Sequence, residues 1–151
     1  MGLVQLKAAL EAEPLRTELA SLREVANDWA VADVLNMPTE RGPVPIGEVA
    51  AYCLNNGIVG IAKATTEESA TPLPVRALCH TLLEFLSKDR WLETADLDDP
   101  RFVAACDGLI QVGIMTAQHK SDLLALANNR QGVGEKILGR KVSPVDVGAC
   151  R

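Results

Sequence analysis

Aromatic residues are scarce, at 3% of the 151 residues: two Trp, two Phe and one Tyr. Sheets are commonly stiffened by Tyr, Phe and Thr, so an apolar content built from Ala, Leu and Val favours closely packed helices before any pattern is counted. Histidine is rarer, with only His80 and His119. A zinc site would have to be assembled from residues distant in sequence, and no ligand spacing supports one. The four cysteines, Cys53, Cys79, Cys106 and Cys150, include no Cys-x-x-Cys pair, so a disulfide framework is not expected at this chain length. Cys53, Cys79 and Cys106 lie in apolar runs that read as helical, where a reduced thiol behaves as a small hydrophobe. Long uninterrupted apolar runs are also missing. The best one, around residues 46–64, is broken by Glu48, Asn55, Asn56 and Lys63, which excludes a bilayer-spanning helix there. The first residues offer Gly2 but place Leu6 where a myristoylation signal wants Ser or Thr, and no basic region leads into an apolar run. No solenoid-length repeat stands out.

What is present is a globular balance, 48% hydrophobic and 23% charged, in a chain of single-domain length, so one hydrophobic core is expected. The net charge of -5 is lopsided. Residues 130–151 hold five basic side chains against two acids, whereas residues 1–129 hold ten against eighteen. An acidic body with a basic end suits head-to-tail association or docking on an acidic neighbour, and equally describes a solvated surface that is merely uneven.

The spacing predicts helices along most of the chain. Leu3, Leu6 and Leu10 make one stripe, Pro14 opens a second helix through Leu15, Leu19, Leu22 and Val25, and Asn27-Asp28 caps a third from Trp29 to Asn36. Three prolines and a glycine make residues 38–45 a connector. Pro45 then starts a helix that Asn56-Gly57 ends, with another apolar piece over residues 58–66. Over residues 74–88, Val75, Leu78, Cys79, Leu82, Leu83 and Leu86 fall at offsets 0, 3, 4, 7, 8 and 11, a stripe whose burial should anchor the core. Asp98-Asp99-Pro100 caps a helix through Phe102, Val103, Cys106, Leu109 and Ile110, stopped by Gly113, and Thr116 caps the next, with Leu123, Leu124 and Ala127 as its apolar side. Gly132, Gly134, Gly139 and Gly148 mark residues 130–151 as a partly ordered basic tail with short turns at Glu135 and Ser143-Pro144. The expected fold is thus all-α, a compact bundle of six to eight short helices with a flexible C-terminal tail. Its domain is residues 1–129, made of N-terminal helices at 1–37, the connector at 38–45 and a main body at 46–129, followed by the tail at 130–151.

Residues 134–141 space two glycines like a phosphate loop, but Arg140 replaces the lysine that would hold phosphate, and neither Lys141 nor Val142 after it offers the hydroxyl that would hold magnesium. Cys79 and His80 are adjacent, which on a helix points them about 100° apart. A Cys-His nucleophilic pair would need a histidine from another helix, and core packing is the simpler reading. His119 reads as a surface residue. Asp96, Asp98 and Asp99 could gather a cation, although acids collect at helix N-termini for the dipole alone. The helices around Gly113 resemble a helix-turn-helix, yet the second carries only Lys120 as a cation, which leaves little to neutralise phosphates. Trp29 and Trp91 are either binding anchors or lids on the core edge, and the lid is the favoured reading for both. No catalytic, cofactor-binding or metal-ligating residue is assigned, and no cofactor, small-molecule substrate, specific nucleic acid or membrane is expected.

Several phrases occur together: Ala32-Asp33-Val34-Leu35-Asn36 before the proline-rich connector, Pro45-Ile46 opening a helix with Ala51-Tyr52, Gly113-Ile114-Met115-Thr116 leading to Leu123-Leu124-Ala125-Leu126-Ala127, and Ser143-Pro144-Val145-Asp146-Val147 near the end. Over most of the chain this layout resembles small α-helical structural proteins of tailed bacteriophages. The resemblance implies a virion component made in the host bacterial cytoplasm, a multi-copy neck or tail protein such as a head-tail connector or adaptor. Its partners would be other virion proteins and copies of itself, and it would not be an enzyme. The alternative is a small intracellular regulatory or adaptor protein acting as a dimer. An enzyme with a cysteine nucleophile is the third reading.

Overall fold

Proline and short polar side chains set where the helices of this chain begin. In the computed structural model, which describes residues 2–151, the helices in chain order are α1 (Gly2–Glu11), α2 (Leu15–Glu18), α3 (Ala20–Glu24), α4 (Asp28–Asn36), α5 (Ile46–Asn55), α6 (Ile58–Glu67), α7 (Leu73–Phe85), α8 (Pro100–Gln111), α9 (Ala117–Ala125), α10 (Val133–Leu138) and α11 (Pro144–Ala149). Strands β1 (Val44–Pro45) and β2 (Thr94–Ala95) are two residues each and pair antiparallel, Val44 with Ala95 and Pro45 with Thr94. The all-α class read from the sequence is the class the chain adopts. Its eleven helices among the described residues exceed the six to eight expected, because α2, α3, α10 and α11 are separate pieces of four to six residues.

Caps explain the starts. The Asn27 side chain accepts from the Ala30 N–H at 3.1 Å, and Asp99 accepts from the Arg101 N–H at 2.8 Å with Pro100 opening the first turn. Thr116 with His119, and Ser143 with Asp146, form reciprocal capping boxes. Pro45 departs from expectation. It lies in extended backbone paired to Thr94, one residue before α5, and so stands outside the helix.

The chain forms two units, residues 1–42 with 129–151, and residues 43–128. The division drawn from the sequence put residues 1–129 together and set 130–151 apart. The connector at 38–45 does fall at one of the crossings between units, but the supposed tail belongs with the N-terminal helices. In this first unit Leu6, Leu10, Leu19, Val31, Ala32 and Leu35 are buried together with Val142, Val147 and Cys150. The expected flexible end is instead a packed part of a core, since Val142, Val147 and Cys150 have almost no exposed surface.

Glycine makes that packing possible. A Cβ built on Gly132 would lie 2.1 Å from the Leu35 carbonyl oxygen, and one on Gly134 would lie 2.5 Å from Val142 Cγ2 and 2.9 Å from Leu35 Cβ. These glycines allow close backbone approach to the end of α4 and do not mark looseness. Asn36, the last residue of α4, then clamps the segment. Its Nδ2 donates to the Val142 carbonyl at 2.8 Å and its Oδ1 accepts from the Val142 N–H at 2.7 Å. At the other end of α4, Arg151 pairs with Asp28, so α4 and α11 run antiparallel.

The second unit is built on Val44, Val49, Ala50, Cys53, Ile58, Ala62, Cys79, Leu97, Cys106, Leu109, Ile114, Met115 and Leu123. Here the stripe on α7 behaves differently from expectation. Within that helix only Cys79 is fully buried, while Val75, Leu78, Leu82 and Leu83 are half-buried.

Close approach at two glycines gives a graded expectation for stability. Gly134→Ala should destabilise the chain by about 1–3 kcal/mol through overpacking, and Gly132→Ala should cost more because its clash is with backbone. Gly60→Ala, within α6 and with nothing near its added Cβ, should stabilise by about 0.5–1 kcal/mol. Urea unfolding followed by far-UV circular dichroism checks the order; equal effects at all three positions would contradict the packing described.

Candidate functional site

Each residue singled out for its chemistry has a definite place. Cys79 is fully buried while His80 beside it is exposed, so the pair does not converge. His119 is half-buried. Its Nδ1 accepts from the Thr116 N–H at 3.1 Å, and its ring meets Tyr52 edge-on with centroids 6.2 Å apart. Of the three aspartates, Asp96 accepts from the Asp98 N–H at 2.9 Å, and Asp99 caps α8 while binding the Arg101 guanidinium. That guanidinium and the capped N–H hold the Asp99 carboxyl down at about 2. Among the described residues no group of three or more His, Cys, Asp or Glu could hold a metal ion. Residues 134–141 are helix for the most part, α10 closed by Gly139 in the left-handed region at φ +71°. Lys120, the one Lys or Arg on α9, is engaged as well, pairing with Asp107 at 2.6 Å. No helix of the described residues is long and apolar enough to cross a membrane.

The thiols are sheltered. All four cysteines are free and buried. Burial pushes the Cys53 thiol up to about 12 and the Cys106 thiol to about 11, the nearby Lys120 ammonium only partly opposing the second. Tyr52 is likewise raised to about 12, first by burial and then by donating to the Asp122 carboxylate at 2.9 Å.

The two tryptophans part company. Trp91 is held against its own unit: Nε1 donates to the Leu86 carbonyl at 2.9 Å and the side chain packs over Gly47, although the ring is still partly open to solvent. Trp29 is not a lid. It is 74% exposed on α4, and Val145 on α11 is 80% exposed on the antiparallel neighbour. Val25, in the turn before α4, is 73% exposed. Beneath that surface Val31, Ala32 and Leu35 are fully buried, so the helix that presents Trp29 is held from behind.

The basic end is not a free arm. Arg140 makes a two-point pair with Asp146, at 2.7 and 2.8 Å, and Ser143 donates to the same carboxylate through its N–H and its hydroxyl. Those donors, the Arg140 guanidinium first, hold the Asp146 carboxyl far below the usual carboxylate range although the residue is buried. Lys136 faces Glu40 and Lys141 faces Glu135, each at 3.9 Å. The first unit holds nine basic and nine acidic side chains, and the second six and eleven, so the whole net charge of -5 falls on residues 43–128.

The second unit contains a cavity of about 450 Å³. Val49 and Cys53 of α5, Leu78, Leu82 and Phe85 of α7, and Phe102, Cys106 and Leu109 of α8 line it, with Met115 and Leu123 also on its wall. Thr81, Arg90, Thr94, Asp96, Asp99 and Arg101 supply its polar lining. Its trace in the sequence is the core-type stripe on α7, of which Leu78 and Leu82 line the wall. Comparison with models of protein families, with characterised proteins and with solved structures found no match to this chain.

Two measurements follow from these environments. Iodoacetamide at pH 8 should leave all four thiols of the native chain unmodified over a period in which it modifies all four in denaturant, read by intact mass. Asp146, with its depressed value, contributes stability that is present above the unfolded carboxylate range and is lost as pH falls through the folded value. Asp146→Asn should therefore lower the melting temperature most near pH 7, and the difference from the wild type should shrink toward pH 2; a constant difference across that range would refute the assignment.

Proposed function

We propose that the protein is a structural component of a tailed bacteriophage particle, made in the host bacterial cytoplasm and installed in many copies at the neck or tail as a head-tail connector or adaptor. It acts by binding other virion proteins and copies of itself. The observation that carries this reading is the exposure of Trp29 on a helix whose opposite face is fully buried. A large ring in water on an anchored helix is the kind of group that dominates protein interfaces when a partner covers it, because it buries much apolar area with little ordering cost. The resemblance of the helix-and-cap layout to small phage structural proteins supplies the kind of assembly.

Charge supports a repeated placement. The balanced first unit, which bears Trp29, meets a like surface without net repulsion, whereas the second unit, at -5, favours a neighbour of opposite sign. In a ring of copies the exposed apolar side chains of one subunit would be covered by the next.

Quantitative mass spectrometry of particles purified from the host that produces this chain tests the reading. The expected result is several copies per particle. Trp29→Ala should fold with stability within about 0.5 kcal/mol of the wild type, since the ring is exposed, and its copy number should fall by about tenfold or more. A chain absent from the particles and recovered as a soluble dimer would overturn this reading in favour of an intracellular adaptor.

A further inference from the structure

The cavity of the second unit is lined in part by side chains of core type that pack against the core on one side only. Leu78, Leu82 and Phe85 sit at the spacing of a buried stripe, yet they stay half-buried because α8 does not fill the space in front of them. Phe102, across the cavity on α8, is also half-buried, its ring centroid 6.1 Å from that of Phe85. Such walls forgo dispersion contacts that an occupant of matching shape would restore. The volume is ample: a closed apolar cavity of about 150 Å³ holds benzene, and this one is about 450 Å³, within the range of small-molecule sites.

The polar lining says what charge the occupant carries. Arg90 is paired with Glu93 at 2.9 Å and lies over the Phe85 ring, Arg101 is paired with Asp99 at 2.8 Å, and Asp96 accepts from the Asp98 backbone. Each charge beside the cavity already has an opposite charge or a backbone donor within the chain, so the site makes no demand for an ionic group. The depth adds to this, because the wall includes the fully buried Cys106, Leu109 and Leu123, which present only apolar or thiol surface. We infer that the cavity between α5, α7 and α8 is a binding site for an uncharged, apolar small molecule the size of two or three fused aromatic rings. This site is independent of the surface that bears Trp29.

The probe for this is N-phenyl-1-naphthylamine, which is uncharged and apolar, titrated into the full-length chain. Saturable one-to-one binding with a blue-shifted emission is expected. With methionine methyl groups labelled for NMR, the Met115 methyl on the cavity wall should move on saturation and the Met37 methyl of the other unit should not. Ala105→Phe, which places a ring in the cavity, should weaken binding by about tenfold or more without lowering the melting temperature; Ala95→Leu is the milder variant to use where the larger one does not fold. Absence of saturable binding by the wild type, an unmoved Met115 methyl, or binding only by a partner peptide would overturn the inference.

Discussion

The first unit depends on how closely residues 130–150 approach the end of α4, and two missing Cβ atoms set that distance. Gly132 and Gly134 let backbone come against Leu35 and Asn36 where an alanine would collide. Once the backbone is there, Asn36 can donate to and accept from the Val142 peptide, and Val142, Val147 and Cys150 become core residues alongside Leu6, Leu10 and Val31. The N-terminal helices are short and bury few residues each, so without this segment their apolar stripes would face water. The end of the chain completes a core begun at its start.

The same approach decides what the charges do. Read along the sequence, residues 130–151 are a basic excess beside an acidic body; in space Arg140, Lys141, Lys136 and Arg151 face Asp146, Glu135, Glu40 and Asp28 within one unit. Exposed pairs of this kind add little stability each, but they cancel the local imbalance. Beside these pairs the first unit also presents large apolar side chains to solvent, the Trp29 ring and the exposed Val4, Val25 and Val145. A docking role for this face would rest on buried area more than on steering, and its salt dependence would be weak.

Much of the fold was legible in the residues themselves. Periodicity and caps located α7, α8 and α9 within a few positions, and Asp99, Thr116 and Ser143 cap the helices they were expected to cap. The C-terminal segment was not legible, because a glycine that permits close packing and a glycine that marks a loose turn are the same letter. Trp29 was misjudged for a related reason: a stripe shows which helix face is apolar, but not whether another element is present to cover it. On α7 a strong stripe overstated burial in the same way, since α8 offers Ala105 and Cys106 where larger groups would have closed the gap. Identity and partner lie beyond local patterns altogether, as they depend on surfaces of a second molecule.

The central claim is that residues 130–150 are core and not appendage, and amide hydrogen exchange on the full-length chain tests it most directly. The account predicts that the amides of α10 and α11, together with Val142, exchange as slowly as those of α1 and α4 and lose protection in the same step when denaturant is added. Exchange of residues 130–150 at the rate of an unstructured peptide, while α1 and α4 stay protected, would contradict it.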